Sequence, residues 1–319
     1  MKIALLEPLG ISSEKIEELS SPLKDAGHTF IRYDSRSTDP AELLRRSEDC
    51  EMVIIANTPY PEHVIDALAK LKMINVAFTG IDHIGLNACR RNGVQVCNAA
   101  GYSGPAVAEL VIGMVIDLYR MLEKGNTAVR NAGTAVGLMG TEIHDKTVGI
   151  IGTGDIGLKT AALFKAFGAH VIAYSRTEKP EAVSMGIRYV SLNELMKQSD
   201  IISVHVPNNT VTRGMIGENQ IALMKKTAIL VNCARGPVVD SAALAEALKT
   251  DRIAGAAVDV FNMEPPIAAD EPLLSAPNTL LMPHVGFLTH ESMERRAQIV
   301  FDNALAYVKG TPWNLCSLG

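Results

Sequence analysis

Three side chains of this sequence could together manage a carbonyl group and a proton: Arg235, Glu264 and His284. Each stands at or just beyond the end of a short apolar run: AILVNC (228–233), GAAVDV (255–260) and TLLMPH (279–284). A planar guanidinium suits a carboxylate together with an adjacent carbonyl oxygen. A glutamate bonded to a histidine fixes the imidazole tautomer and raises its pKa, so that it donates a proton near neutrality. Taken singly, Arg235 reads equally as half of a surface ion pair, and a histidine after a strand is usually structural. Their weight comes from succession, three consecutive strand ends delivering Arg, Glu and His.

A second pattern is Gly152-Thr153-Gly154-Asp155-Ile156-Gly157, directly after the apolar run 147–151 and opening a helical segment. The spacing alone is weak. Here a strand precedes it, a helix follows, and a second strand ends near Ser175, which is the context a dinucleotide site requires. Gly152 permits the tight turn, Gly154 lets backbone N–H groups approach a pyrophosphate, and Gly157 lets the helix lie close to the sheet. The helix N-terminus then stabilises the anion. A glycine-rich turn without a ligand is the plainer alternative.

The tip of the second strand reads Tyr174-Ser175-Arg176-Thr177, with no carboxylate. An Asp or Glu usually holds the ribose 2′-OH there when the dinucleotide lacks a 2′-phosphate. A guanidinium between two hydroxyls suits a 2′-phosphate instead. The expectation is NADP(H), with NAD the alternative if Arg176 only stacks over adenine or Glu178 replaces the acid. Beside a nicotinamide, the Arg–Glu–His set implies hydride transfer to a carbonyl carbon while His284 protonates the oxygen. In reverse, neutral His284 removes a hydroxyl proton.

These groups need a scaffold of strand ends, and the sequence supplies one. KIALLE (2–7), TFIRY (29–33), MVIIA (52–56) and KMINVAF (72–78) read as buried strands, with helices over 13–26, 40–48 and 61–70. The pattern restarts with TVGIIG (147–152), AHVIAYS (169–175), DIISVHV (200–206) and the three runs named above. Helices are expected near 156–167, 193–198, 217–225, 240–249 and 105–124. Such alternation predicts βαβ units. The fold class is therefore α/β, with two Rossmann-like or flavodoxin-like parallel-sheet domains. His290 to Lys309 has helical apolar spacing and is expected to return to the first domain. The substrate domain would then be discontinuous, 1–98 and 290–319, with the dinucleotide-binding domain 99–289 inserted.

The 319 residues allow one or two well-buried domains, and 47% hydrophobic with 20% charged residues argues against disorder. A net charge of −5 offers no general attraction to nucleic acid or anionic membranes. Cys50, Cys89, Cys97, Cys233 and Cys316 form no CxxC pair, a poor disulfide framework and a poor zinc site. No HExxH or close carboxylate cluster suggests a metal, and hydride transfer needs none. The start MKIALLEPLG reads as strand rather than signal peptide, and the apolar stretch 106–122 carries Glu109, Asp117 and Arg120, so it is no membrane span. A cytoplasmic setting is expected.

TVGIIGTGDIG, NCARGPVVD, AAVDVFNMEP and MPHVG, in that order and spacing, resemble the D-isomer-specific 2-hydroxyacid dehydrogenase family over essentially the whole chain. The resemblance implies a 2-oxoacid reductase, with glyoxylate or hydroxypyruvate as plausible substrates. It maps the family's catalytic Arg, Glu and His onto Arg235, Glu264 and His284. It makes Asp259 the partner of the nicotinamide carboxamide and lines the cofactor cleft with His205, Val206, Pro207 and Thr212, alongside the motif residues Cys233, Ala234 and Gly286. It assigns the substrate carboxylate to backbone N–H groups of Thr79 and Gly80, with Asn57 and Phe78 facing the same cleft between the two domains. Phe78 stands where relatives commonly have a small residue, and either reshapes the pocket or simply packs. A homodimer through the helix beginning at Pro105 is implied. The rival within the class is 3-phosphoglycerate dehydrogenase. ANTPY and VAFTGID contain no Lys or Arg for a phosphate, and no extra regulatory domain is expected. A rival of another class is a dinucleotide-sensing, corepressor-like scaffold, which long disordered tails would have favoured.

Overall fold

The computed structural model describes residues 1–263 and 266–318. It divides into two compact units, Met1–Ser103 with Leu288–Gly319, and Gly104–Phe287.

The first unit holds a five-stranded sheet of β1 (Lys2–Leu5), β2 (Thr29–Arg32), β3 (Met52–Ile55), β4 (Met73–Val76) and β5 (Gln95–Asn98). Their order is β2-β1-β3-β4-β5, and every neighbouring pair is parallel. All of β3 and β4 is buried, as uninterrupted apolar runs in parallel sheets should be. β5 was not expected: only Val96 and Cys97 of its four residues are buried, too short a run to signal a strand. The helix anticipated over 61–70 covers only Glu62–Asp66. Beyond it the chain tightens into turns, Leu68 N bonding Ile65 O and Leu71 N bonding Leu68 O.

The helix His290–Val308 packs in this unit. Phe301 meets Phe30 with ring centroids 5.6 Å apart. A buried asparagine network ties the helix to the sheet: Asn75 Nδ2 donates to Val300 O at 2.7 Å, and Asn303 Nδ2 donates to Asn98 O at 2.9 Å. Each such amide left unbonded would cost about 1–3 kcal/mol, so the network fixes where the helix can dock.

The second unit holds a seven-stranded parallel sheet: β6 (Thr147–Ile151), β7 (His170–Tyr174), β8 (Arg188–Tyr189), β9 (Ile201–Val204), β10 (Ile229–Asn232), β11 (Gly255–Val258) and β12 (Thr279–Leu281). Their order is β12-β11-β10-β9-β6-β7-β8. The order reverses between β6 and β9, and a crevice opens at the carboxyl ends of strands at such a reversal. β8, two residues long, is beyond the reach of any periodicity. The helix expected over 105–124 is broken: Gly104–Arg120 ends at Met121, whose backbone is left-handed (φ 51°), and Leu122–Arg130 follows. The segment 217–225 is helical only at Glu218–Ile221.

Candidate functional site

β6 delivers the glycine turn. Gly152 has φ +100°, and a Cβ there would lie 2.7 Å from the His205 carbonyl oxygen and 2.8 Å from Val206 Cγ1. The turn is thus pressed against the loop leaving β9. A Cβ on Gly157 would meet the Gly152 carbonyl oxygen at 2.0 Å, so the helix Asp155–Ala166 lies as close as glycine allows. A Cβ on Gly154 would meet no described atom within 4 Å. That side of the helix N-terminus is open, and its first-turn N–H groups have no intrahelical acceptors. Asp155 pairs with Lys159 one turn along, and Ile156 is half-buried.

The loop after β9 closes the other flank. His205 Nε2 bonds Ser203 Oγ at 2.8 Å, and burial pushes the imidazole pKa down to about 3. Thr212 Oγ1 donates to Pro207 O at 2.5 Å and accepts from Asn209 N at 3.0 Å, stapling the loop. Asn208 Oδ1 is buried and, among the described residues, has no hydrogen-bond partner. An open helix N-terminus beside an orphaned acceptor fits a dinucleotide, whose pyrophosphate needs donors and whose ribose or carboxamide supplies one.

β10, β11 and β12 are neighbours, so the residues that follow them line one sheet edge. Cys233 turns its thiol into the core, 3.6 Å from Met114 Sδ, and burial pushes its pKa up. Only its backbone is left for a cofactor, because side chains alternate along the strand and Asn232 takes the other face. Asn232 Oδ1 accepts from Ala234 N at 3.1 Å and Asn232 Nδ2 donates to Arg235 O at 3.0 Å, which fixes the turn carrying the guanidinium. Arg235 Nη1 donates to Ala234 O at 2.7 Å. A Cβ on Gly236 would overlap the Phe261 carbonyl carbon at 2.1 Å, so the loops after β10 and β11 touch at that glycine.

Asp259, 1% exposed, receives three successive amides: His284 N on its carbonyl, Val285 N on Oδ1 and Gly286 N on Oδ2, each at 2.8 Å. They hold His284 in the left-handed region (φ 55°), which is uncommon for a non-glycine residue. The imidazole meets Phe287 edge-on at 5.4 Å. Arg235, Asp259 and His284 thus share one sheet edge. Glu264 lies outside the described residues. Ser175 is half-buried after β7, and Arg176 and Thr177 are exposed.

In the first unit Phe78 is 7% exposed, its ring 6.0 Å from Tyr102 and 5.3 Å beneath the Arg296 guanidinium. Of its two readings, packing is the one this environment favours. The Thr79 carbonyl accepts from Asn98 Nδ2 at 2.8 Å. Thr79 is exposed and Gly80 half-buried. The ANTPY segment, itself without Lys or Arg, is met by a cation from elsewhere in the chain. Arg36 Nη2 donates to Asn57 O at 2.9 Å and Nε donates to Thr58 Oγ1 at 3.1 Å. Tyr189, which bonds Thr153, was likewise missed. Neither has a local signature, since both act on residues distant in sequence.

Among the described residues no group of three or more His, Cys, Asp or Glu is placed to hold a metal, and no helix is long and apolar enough to cross a membrane.

The family model for the D-isomer specific 2-hydroxyacid dehydrogenase NAD binding domain matches residues 112–286. The chain is 37% identical to the D-3-phosphoglycerate dehydrogenase of Methanocaldococcus jannaschii over 314 residues, 97% of this chain and 58% of that one. It therefore spans little more than half of that relative. It is 37% identical to the glyoxylate reductase of Thermococcus litoralis over 287 residues, 87% of this chain and 86% of that one. Among solved structures it superposes on an acyclic imino acid reductase in complex with NADPH and D-Arg with a TM-score of 0.89 and 29% identity, covering 99% of this chain and 100% of that one. The chain belongs to the D-isomer-specific 2-hydroxyacid dehydrogenase family, whose members are NAD-dependent oxidoreductases acting on CH–OH donors.

Proposed function

We propose that this protein reduces small 2-oxoacids, glyoxylate or hydroxypyruvate among them, to D-2-hydroxyacids, and prefers NADPH. The observation that carries the reading is the single sheet edge shared by the glycine turn, Arg235, Asp259 and His284. The unit with the glycine turn is read as the dinucleotide-binding domain and the other as the substrate domain.

When bound, the reduced nicotinamide supplies the hydride to the carbonyl carbon. Arg235 holds the substrate carboxylate and carbonyl oxygen in its two-pronged guanidinium. His284 gives its proton to the oxygen as negative charge develops there, and Glu264 keeps the imidazole in the donating tautomer. In the substrate domain, Thr79 and Gly80, with Asn57, are read as the loop that recognises the acid. NADPH preference is supported by Arg176, which is exposed just beyond the tip of β7, between Ser175 and Thr177. The solved imino acid reductase holds the same cofactor.

Self-association as a homodimer is supported by the segment after Met121, where Leu122, Val129, Val136 and Met139 are 52%, 77%, 89% and 94% exposed. Four large apolar side chains within one short segment call for a cover. A second copy supplies it, and light scattering on the eluting peak checks the mass. The five free cysteines fit a reducing, cytoplasmic compartment.

The test is a panel of 2-oxoacids with NADPH and NADH in parallel, followed by loss of reduced-nicotinamide absorbance. Turnover of glyoxylate or hydroxypyruvate, faster with NADPH, is expected. Tight cofactor binding without turnover of any acid would favour the sensor instead. Oxidation of 3-phosphoglycerate is the second reading, favoured by Arg36 at the Asn57 loop and by the M. jannaschii relative. The phosphorylated acid therefore belongs in the panel.

A further inference from the structure

The loop 175–179 is fastened to the glycine turn at both ends. At its near end the Gly152 amide donates to the Tyr174 carbonyl at 2.7 Å. At its far end the Lys179 amide donates to the Tyr189 hydroxyl at 2.9 Å, and that hydroxyl donates to Thr153 Oγ1 at 2.8 Å. Tyr189 reaches this point because β8 pairs in parallel with β7, setting it opposite Ala173. The phenol oxygen accepts from the Lys179 amide, which can only donate, and its own hydroxyl donates to Thr153 Oγ1. Thr153, 2% exposed, keeps its hydroxyl proton to give, and no described acceptor takes it. It stands between Gly152 and Gly154, where a pyrophosphate oxygen would be the acceptor.

We propose that Tyr189 is a positioning residue for the dinucleotide. It presents the Thr153 hydroxyl to the pyrophosphate and fixes the loop bearing Ser175, Arg176 and Thr177 relative to it. The first role rests only on dinucleotide binding; the second rests on reading that loop as the 2′-phosphate subsite.

The experiment is a double-variant cycle of Tyr189→Phe and Thr153→Val, reading dissociation constants for NADPH and NADH by fluorescence quenching, with kcat and KM alongside. Each single change should weaken NADPH about 3- to 10-fold, the range of one hydrogen bond. KM for the cofactor should rise while kcat at saturation holds. The double variant should be no weaker than the worse single one, because both remove the same bond. Additive losses, unchanged affinity, or a fall in kcat alone would overturn the proposal. Equal losses for NADPH and NADH in Tyr189→Phe would remove the loop-fixing role. Arg176→Ala judges the 2′-phosphate reading separately: equal weakening of both cofactors would end it, while the cycle run on NADH still decides the Thr153 link.

Discussion

Asp259 holds Gly286 by its amide at 2.8 Å, and a Cβ on Gly286 would sit 2.9 Å from the same carboxylate oxygen. The end of β11 therefore carries the loop that carries His284. Asp259→Asn keeps one acceptor and turns an N–H toward the other amide. Losing a charged acceptor and stranding a buried donor should cost about 2–5 kcal/mol. Thermal unfolding should start lower and kcat should fall. Gly286→Ala disturbs the loop without altering the carboxylate, and should reproduce the kcat loss. An Asp259→Asn protein as stable as the parent would show that the tie contributes nothing.

His284→Ala should lower turnover by roughly 10²–10⁴-fold, the usual contribution of a general acid or base, with cofactor affinity nearly unchanged. A comparable loss of cofactor binding would remove the imidazole from the proton-transfer role. Binding titrations beside steady-state kinetics separate the two outcomes.

Arg235→Lys should also fail, because an ammonium cannot reproduce the two-pronged contact. The defect should fall on the oxoacid rather than the cofactor. Near-parental kcat/KM for the acid would take Arg235 out of the site.

Much of this was legible in the sequence because strand ends announce themselves. Arg235 and His284 follow short apolar runs that read as strands, β10 fully buried and β12 half-buried, and the glycine spacing fell between a strand and a helix. What stayed hidden depends on contacts that no local pattern records. Arg36 reaches Asn57 across 21 residues and Tyr189 reaches Thr153 across 36. In each case the donor is polar, on or near the surface, and unremarked by periodicity. Phe78 was ambiguous for the same reason: its role is set by Tyr102 and by Arg296, which comes from a helix at the far end of the chain. Cys233 sat in a motif that implied a cofactor contact, yet strand alternation sends its side chain inward.

The thiols offer a test of burial. Desolvation pushes Cys89 up to about 11 and Cys97 up to about 12, so almost no thiolate exists at neutral pH. Cys316 is the one cysteine that is not fully buried. A colourimetric disulfide reagent should modify Cys316 first in the native protein, and all five cysteines after denaturation. Rapid native reaction of two or more would contradict the packing.

His205 gives a pH signature with a definite sign. Free imidazole titrates near 6.5, whereas enclosure holds this one at about 3. Between those values the unfolded chain binds the proton and the folded chain does not. Stability is therefore complete above pH ~6.5 and declines as the pH falls toward the folded value. His205→Asn removes the titrating ring but keeps the backbone carbonyl that packs on Gly152. Its unfolding temperature should fall less steeply than the parent's as the pH is lowered from neutrality. Parallel curves for the two proteins would mean that the ring takes up its proton in the folded state, and that the flank of the glycine turn is wetter than the packing of His205 against Ser203 implies.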